Sequence, residues 1–226
     1  PKSGDWEHPY RWVLPPQEKG REKSLPKEFS TSYAAWEWGN AQSTRWFDGL
    51  SKAQKKELSD YMAVRYHEIN DVLRYPDKAE RSYRYTSRVK ERVKLIDEAV
   101  TSSSFDEDVF VYRGVKEEHA RKTKRVGEPV KGGFFVDLGY SSTSLLEEVA
   151  SRFASSGRFS FILKIKIKAG SPAAYLGRLA VSGPKKVTPP NFEEEVLLPR
   201  GSRFKVSGKV GEYKGKPVVE VELVAP

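Results

Sequence analysis

Three consecutive glutamates, Glu193, Glu194 and Glu195, run directly into Val196, Leu197 and Leu198 and then Pro199-Arg200-Gly201. The apolar run suits a buried strand, and side chains alternate along an extended backbone. Glu193 and Glu195 would then leave one face together while Glu194 points the other way. Two carboxylates at the mouth of a sheet suit acid–base work or the stabilisation of a cationic transition state. A solvated acidic turn is the plain alternative for any such run. Two further stretches carry side chains of chemical interest. Val109-Phe110-Val111-Tyr112 ends in Arg113-Gly114, and Gly139-Tyr140-Ser141 leads into Ser142-Thr143-Ser144. Singly each is weak, since Arg-Gly closes many strands and Ser-Thr-Ser opens many helices.

Composition narrows the chemistry. The chain has 226 residues, 38% hydrophobic and 12% aromatic, enough for one folded domain with a sizeable core. It has no cysteine, which removes disulfide scaffolds, thiolate zinc sites and cysteine nucleophiles. The only histidines, His8, His67 and His119, are far apart, so no metal site is expected. No nucleophile-elbow pattern supports a Ser-His-Asp triad. With 40 Lys and Arg against 31 Asp and Glu, the net charge is +9. Such a balance draws nucleic acid, anionic membranes, acidic proteins or a polyphosphate ligand. The basic residues are scattered, with short clusters such as Lys122 to Arg125, so steering and solubility come first. No apolar run approaches the roughly 20 residues of a membrane span. The opening at Pro1, with no secretory apolar region, is expected of a trimmed portion of a longer chain.

The elements that must position these residues follow from periodicity. Residues 1–27, with Pro9, Pro15, Pro16 and Pro26, read as an extended arm pinned by Trp6, Tyr10 and Trp12. Residues 28–226 read as a single catalytic domain. Tyr33, Trp36 and Trp38 suggest a first helix, weakened at Gly39 and closed by Trp46 and Phe47. Ser51 with Gln54 forms a capping box for a second. On it Leu58, Tyr61, Met62, Ile69, Val72 and Leu73 make an apolar face, and Tyr66, Asn70 and Arg74 a separate stripe, before Pro76 ends it. A third helix runs from about Lys78 to Val100, with Ala79, Tyr83, Val89, Val93, Ile96 and Val100 inward. Strands then dominate: 109–112, 134–136, the alternating run 159–167, the strand at Val196, and a final pair near 203–210 and 218–224. Short helices are expected around Lys116 to Lys124 and from Leu145 to Ala154, the latter capped by Ser144 with Glu147. The sum is an α+β fold, helices first and then a mostly antiparallel sheet.

Order turns these weak signals into a strong one. A strand ending YRG, a strand ending GYSSTS, and FEEEVLLPRG together resemble the R-S-E class of mono-ADP-ribosyltransferases. That class includes actin-modifying binary toxins and Rho-modifying exoenzymes. INDVLR at 69–74 and FASSGRFSFILKIKIKAG at 153–170 extend the likeness, which covers about residues 50 to 224. The resemblance implies the ADP-ribosyltransferase fold, with helices on a two-sheet core, and NAD as substrate without a metal. It implies that Glu195 stabilises the oxocarbenium-like state and holds the ribose 2′-hydroxyl, and that Glu193 engages the acceptor. Glutamate at 193 accompanies arginine acceptors in the family, and glutamine there accompanies asparagine. Glu194 receives no role. Arg113, with Gly114, would grip the pyrophosphate or ribose of NAD. Ser142, beside Thr143, would hold the catalytic glutamate. Asn70, Arg74, Tyr61, Phe153 and Arg158 match other NAD-contacting positions, and Phe192 an acceptor-recognising one. For Arg113 a structural ion pair, for Tyr61 a core role and for Phe192 a staple onto the core stay open. The family further implies a secreted or injected toxin acting in the host cytoplasm on a protein such as actin or a small GTPase. A separate delivery component would bring it there. An NAD glycohydrolase, a transferase acting on nucleic acid, and a silent NAD-binding module are the alternatives.

Overall fold

The computed structural model describes residues 25–75, 83–115, 131–154, 160–182 and 193–224. Residues 1–24, the expected helix at 116–124, Pro76 to Ser82, Arg158 and Phe192 lie outside them.

Helices come first. α1, Ser32–Gly49, begins where the Thr31 hydroxyl accepts from the Ala34 amide at 3.3 Å. It passes through Gly39 unbroken, because Gly39 is a packing site and not a break: a Cβ there would lie 2.6 Å from the Tyr175 ring. α2, Lys52–Asp60, carries the predicted capping box, with Gln54 N to Ser51 Oγ at 3.2 Å and Ser51 N to Gln54 Oε1 at 3.0 Å. The single long helix expected from Ser51 is interrupted. Tyr61–Arg65 forms a π-turn before α3, Tyr66–Arg74. Such widened turns cluster at functional sites because they re-aim one side chain, and here Tyr61 goes fully into the interior. α4, Tyr83–Thr101, buries Val89, Val93, Ile96, Ala99 and Val100 against Leu58, Tyr61 and Ile69.

Among the described residues eight strands follow: β1, Val109–Val115; β2, Phe134–Asp137; β3, Ser141–Ser144; β4, Phe161–Ile167; β5, Ala174–Tyr175; β6, Glu195–Leu198; β7, Ser202–Tyr213; and β8, Lys216–Val224. Helix α5, Glu147–Phe153, lies between β3 and β4, and α6, Gly177–Ser182, between β5 and β6. The sheet order is β2-β7-β8-β4-β1-β3-β6-β5, antiparallel except for the parallel β4–β8 pair. The expected two sheets are joined into one hydrogen-bonded series, yet β1 and β3 share only the pair Tyr112↔Ser144. That near-break is where the candidate residues gather.

The strand after the glutamates inserts into two cores at once. Val196 and Leu198 pack with Val109, Val111, Leu163 and Ile165, while Leu197 joins the helical cluster containing Tyr61 and Tyr140. Alternation along a strand buried on both faces requires this split. No described helix is long and apolar enough to cross a membrane.

Candidate active site

Glu195 opens β6 opposite Ser144 of β3, and its carbonyl accepts from Leu176 N at 2.9 Å. Burial pushes its carboxyl up to about 7; a Ser142 hydrogen bond and the Arg113 charge oppose that shift, and the Glu193 charge adds to it. A carboxyl so poised is unlike a surface acid, and it is the kind of group that active sites carry.

Ser142 sits between two partners. Its hydroxyl interacts with Glu195 on one side and with the Tyr61 hydroxyl on the other. Burial raises the Tyr61 phenol to about 12, so it stays protonated and able to donate. Asn70 supports Tyr61, its Nδ2 donating to the phenol oxygen at 3.0 Å while its Oδ1 accepts from Tyr140 N at 2.8 Å. The chain Asn70–Tyr61–Ser142–Glu195 thus links α3 and the π-turn to β3 and β6. Tyr61 serves both the core and this chain, and Asn70 has its amide committed to protein partners.

Arg113, on β1, donates from Nη1 to the Ser142 carbonyl at 2.8 Å and lies 3.7 Å from Asp137. Arg74, from α3, meets Asp137 with a fork, Nε to Oδ1 and Nη2 to Oδ2, each at 2.8 Å. Two guanidiniums therefore converge on one half-buried carboxylate. Burial works to raise the Asp137 carboxyl, but the Arg74 hydrogen bond and both positive charges hold it below the usual range. Asp137 also accepts from Ser141 Oγ at 2.8 Å and Gly139 N at 3.0 Å. It was not among the sequence candidates. The signal available was the Asp-x-Gly spacing of Asp137 and Gly139, which favours a side-chain-closed turn.

Other expected residues fall differently. Thr143 points between strands, its hydroxyl donating to Val196 O at 2.7 Å. A Cβ on Gly114 would overlap the Ala150 carbonyl and the Ala154 amide, so this glycine lets α5 pack on β1. Phe153 ends α5 and is exposed. Ser144 is not a helix cap: it ends β3, α5 starts at Glu147, and Leu146 stands at the cap position without a side-chain bond. Its hydroxyl instead donates to Glu193 O at 2.6 Å and accepts from Leu146 N at 3.0 Å. Glu194 points away from Glu195, as alternation predicts, but it does so without an extended backbone. Glu194 adopts φ 45°, outside any strand, and buries its side chain against the Tyr175 hydroxyl. Glu193 is exposed at the rim; partial burial raises its carboxyl, and Arg152 opposes the rise.

The arrangement offers a half-buried carboxyl beside a serine hydroxyl, two guanidiniums paired with one acid, Asp137, and a second carboxylate at the solvent edge. Among the described residues no group of His, Cys, Asp and Glu is placed to hold a metal ion. Known proteins resemble this chain in sequence and fold. The mono-ADP-ribosyltransferase C3 of a Clostridium botulinum C phage is 27% identical over 207 residues, spanning 84% of this chain and 77% of that protein. The NAD(+)–arginine ADP-ribosyltransferase EFV of Enterococcus faecalis is 26% identical over 167 residues, spanning 73% of this chain and 30% of that protein. In fold, C3stau2 from S. aureus, solved with NAD, superposes with a TM-score of 0.67 at 19% identity, covering 90% of this chain and all of the other, 100%. The family model described as ADP-ribosyltransferase exoenzyme matches residues 35–224. This chain belongs to the ADP-ribosyltransferase exoenzyme family.

Proposed function

We propose that this chain is a mono-ADP-ribosyltransferase toxin or effector that moves ADP-ribose from NAD to an arginine of a host protein. The bond between nicotinamide nitrogen and ribose C1′ breaks, and its electron pair leaves with nicotinamide. Positive charge grows on the ribose, where the Glu195 carboxylate stabilises it. Ser142 orients that carboxylate, and Arg113 and Arg74 face the pyrophosphate. A guanidino nitrogen of the acceptor then attacks C1′, and its proton passes to Glu193.

The observation carrying the arginine assignment is a carboxylate, Glu193, exposed at the rim two residues before the half-buried Glu195. A charged guanidinium is a poor nucleophile until a carboxylate orients it and takes up its proton. The enterococcal relative, named for arginine as its acceptor, supports the same choice. The net charge of +9 suits approach to acidic partner surfaces. Delivery by secretion or injection into a host cell, with a separate translocating component, completes this reading.

Purified chain incubated with labelled NAD and a host-cell lysate tests it, followed by mass spectrometry of the modified peptides. ADP-ribose on an arginine is the expected result. Modified asparagine would overturn the acceptor assignment, and nuclease-sensitive label would point to nucleic acid. Nicotinamide release without any label would leave an NAD glycohydrolase.

A further inference from the structure

Each of the three glutamates has its carbonyl tied down. Ser144 Oγ holds Glu193 O at 2.6 Å, Leu145 N holds Glu194 O at 3.0 Å, and Leu176 N holds Glu195 O at 2.9 Å. Within this clamp Glu194 stands at φ 45°, a left-handed conformation that residues with a Cβ seldom adopt. The conformation drives its side chain inward until it is 1% exposed. There Oε2 accepts from the Tyr175 hydroxyl, and Oε1 is buried with no partner. An ionised carboxylate with one bare buried oxygen is costly, whereas the neutral acid leaves much less charge to desolvate. Burial raises the Glu194 carboxyl in keeping with this, against the pull of the Tyr175 bond. Tyr175 has little room to withdraw, since its backbone pairs with Val196 and its ring fills the space left by the missing Gly39 side chain.

We propose that Glu194 is a positioning residue which sets how turnover divides between the acceptor and water. Seated under the turn against Tyr175, it maintains the backbone twist that sends Glu193 outward while Glu195 stays in the cleft. This rests on the assignment of Glu193 to the acceptor. A side chain in an ordinary extended conformation at 194 would draw Glu193 off the exposed rim, where a protein guanidinium reaches it.

The test measures kcat and KM for transfer to agmatine, a soluble guanidine, and for NAD hydrolysis without acceptor, together with thermal melts. The variants are Glu194→Ala, Glu194→Gln, Tyr175→Phe and Glu193→Gln. Glu194→Ala and Tyr175→Phe are expected to lower the transfer-to-hydrolysis ratio about tenfold, chiefly through the agmatine KM. Glu194→Gln, neutral and of the same shape, should restore most of the ratio. Tyr175→Phe keeps the ring, so the comparison survives even if Glu194→Ala does not fold. Equal losses of transfer and hydrolysis, or an unchanged ratio, would overturn the proposal. If Glu193→Gln lowers the ratio and the Glu194 and Tyr175 variants do not, the positioning role alone fails. If Glu193→Gln leaves the ratio intact, the acceptor assignment fails and takes this role with it.

Discussion

Asp137 binds Arg74 through both carboxylate oxygens, at 2.8 Å each, and so fastens α3 to the turn that precedes β3. Removing Asp137 leaves the largely buried Arg74 guanidinium without its carboxylate. Asp137→Asn should therefore destabilise the fold by about 3 kcal/mol in urea unfolding. A double variant, Asp137→Leu with Arg74→Met, should lose less than the sum of the two single changes, because Arg113 alone is then left without its carboxylate. Simple additivity would show that the fork contributes nothing of its own.

The Glu195 carboxyl gives a pH test with a fixed sign. Its folded value of about 7 lies above the ordinary 4.5, so between these limits the folded chain holds a proton that the unfolded chain releases. The stabilising contribution is complete below the unfolded value and is lost as pH rises through about 7. The full swing is about 3 kcal/mol. Glu195→Gln stays neutral, so it should melt several degrees higher than the parent at pH 8 and gain far less at pH 5. The same variant should release no nicotinamide from NAD. An equal melting shift at both pH values would contradict the burial of an ionisable group there.

Glu193→Gln keeps the shape of the rim residue and removes its capacity to take a proton. Transfer to an arginine acceptor should fall by about a hundredfold. NAD hydrolysis, in which Glu193 has no proposed part, should fall much less. Equal falls in nicotinamide release and label transfer would end the division of labour between the two glutamates.

Gly114 separates a packing role from a ligand role. Gly114→Ala places a methyl group against the α5 backbone at Ala150 and Ala154, where no flexible side chain can give way. The expected cost is about 2 kcal/mol or more in stability. NAD affinity of the molecules that remain folded should stay near that of the parent. A variant of full stability with weakened NAD binding would reverse this account.

NAD itself should protect the fold. A ligand that binds only the folded state at a hundred times its Kd adds about 2.7 kcal/mol. For a chain of this length that corresponds to a melting rise of roughly 5–11 °C. The rise should be lost in Arg113→Ala if that guanidinium faces the pyrophosphate.

The parts legible in the sequence were those decided by neighbours along the chain. The Ser51 capping box and the alternating run that became β4 rest on short-range patterns, and the set Arg113, Ser142 and Glu195 on three short motifs whose order resembles a known family. What escaped depends on partners far away. Asp137 owes its role to Arg74, 63 residues earlier, and Glu194 to Tyr175, 19 residues earlier. A triple glutamate before a strand reads as alternating because extended geometry is the default. Only the buried tyrosine explains why the middle residue turns left-handed and inward. The π-turn at Tyr61–Arg65 likewise left no mark on the apolar spacing, since one extra residue per turn shifts the face without erasing it.

The lone pair Tyr112↔Ser144 between β1 and β3 has one more effect. A sheet normally spends its backbone groups on the next strand, leaving nothing over for a visitor. Here the ladder stops after one rung, and the Ser142 carbonyl beyond it is taken up by the Arg113 side chain. The junction between β1 and β3 is thus held by a side chain where a second backbone rung would otherwise stand, so a change at Arg113 loosens two strands as well as removing a charge.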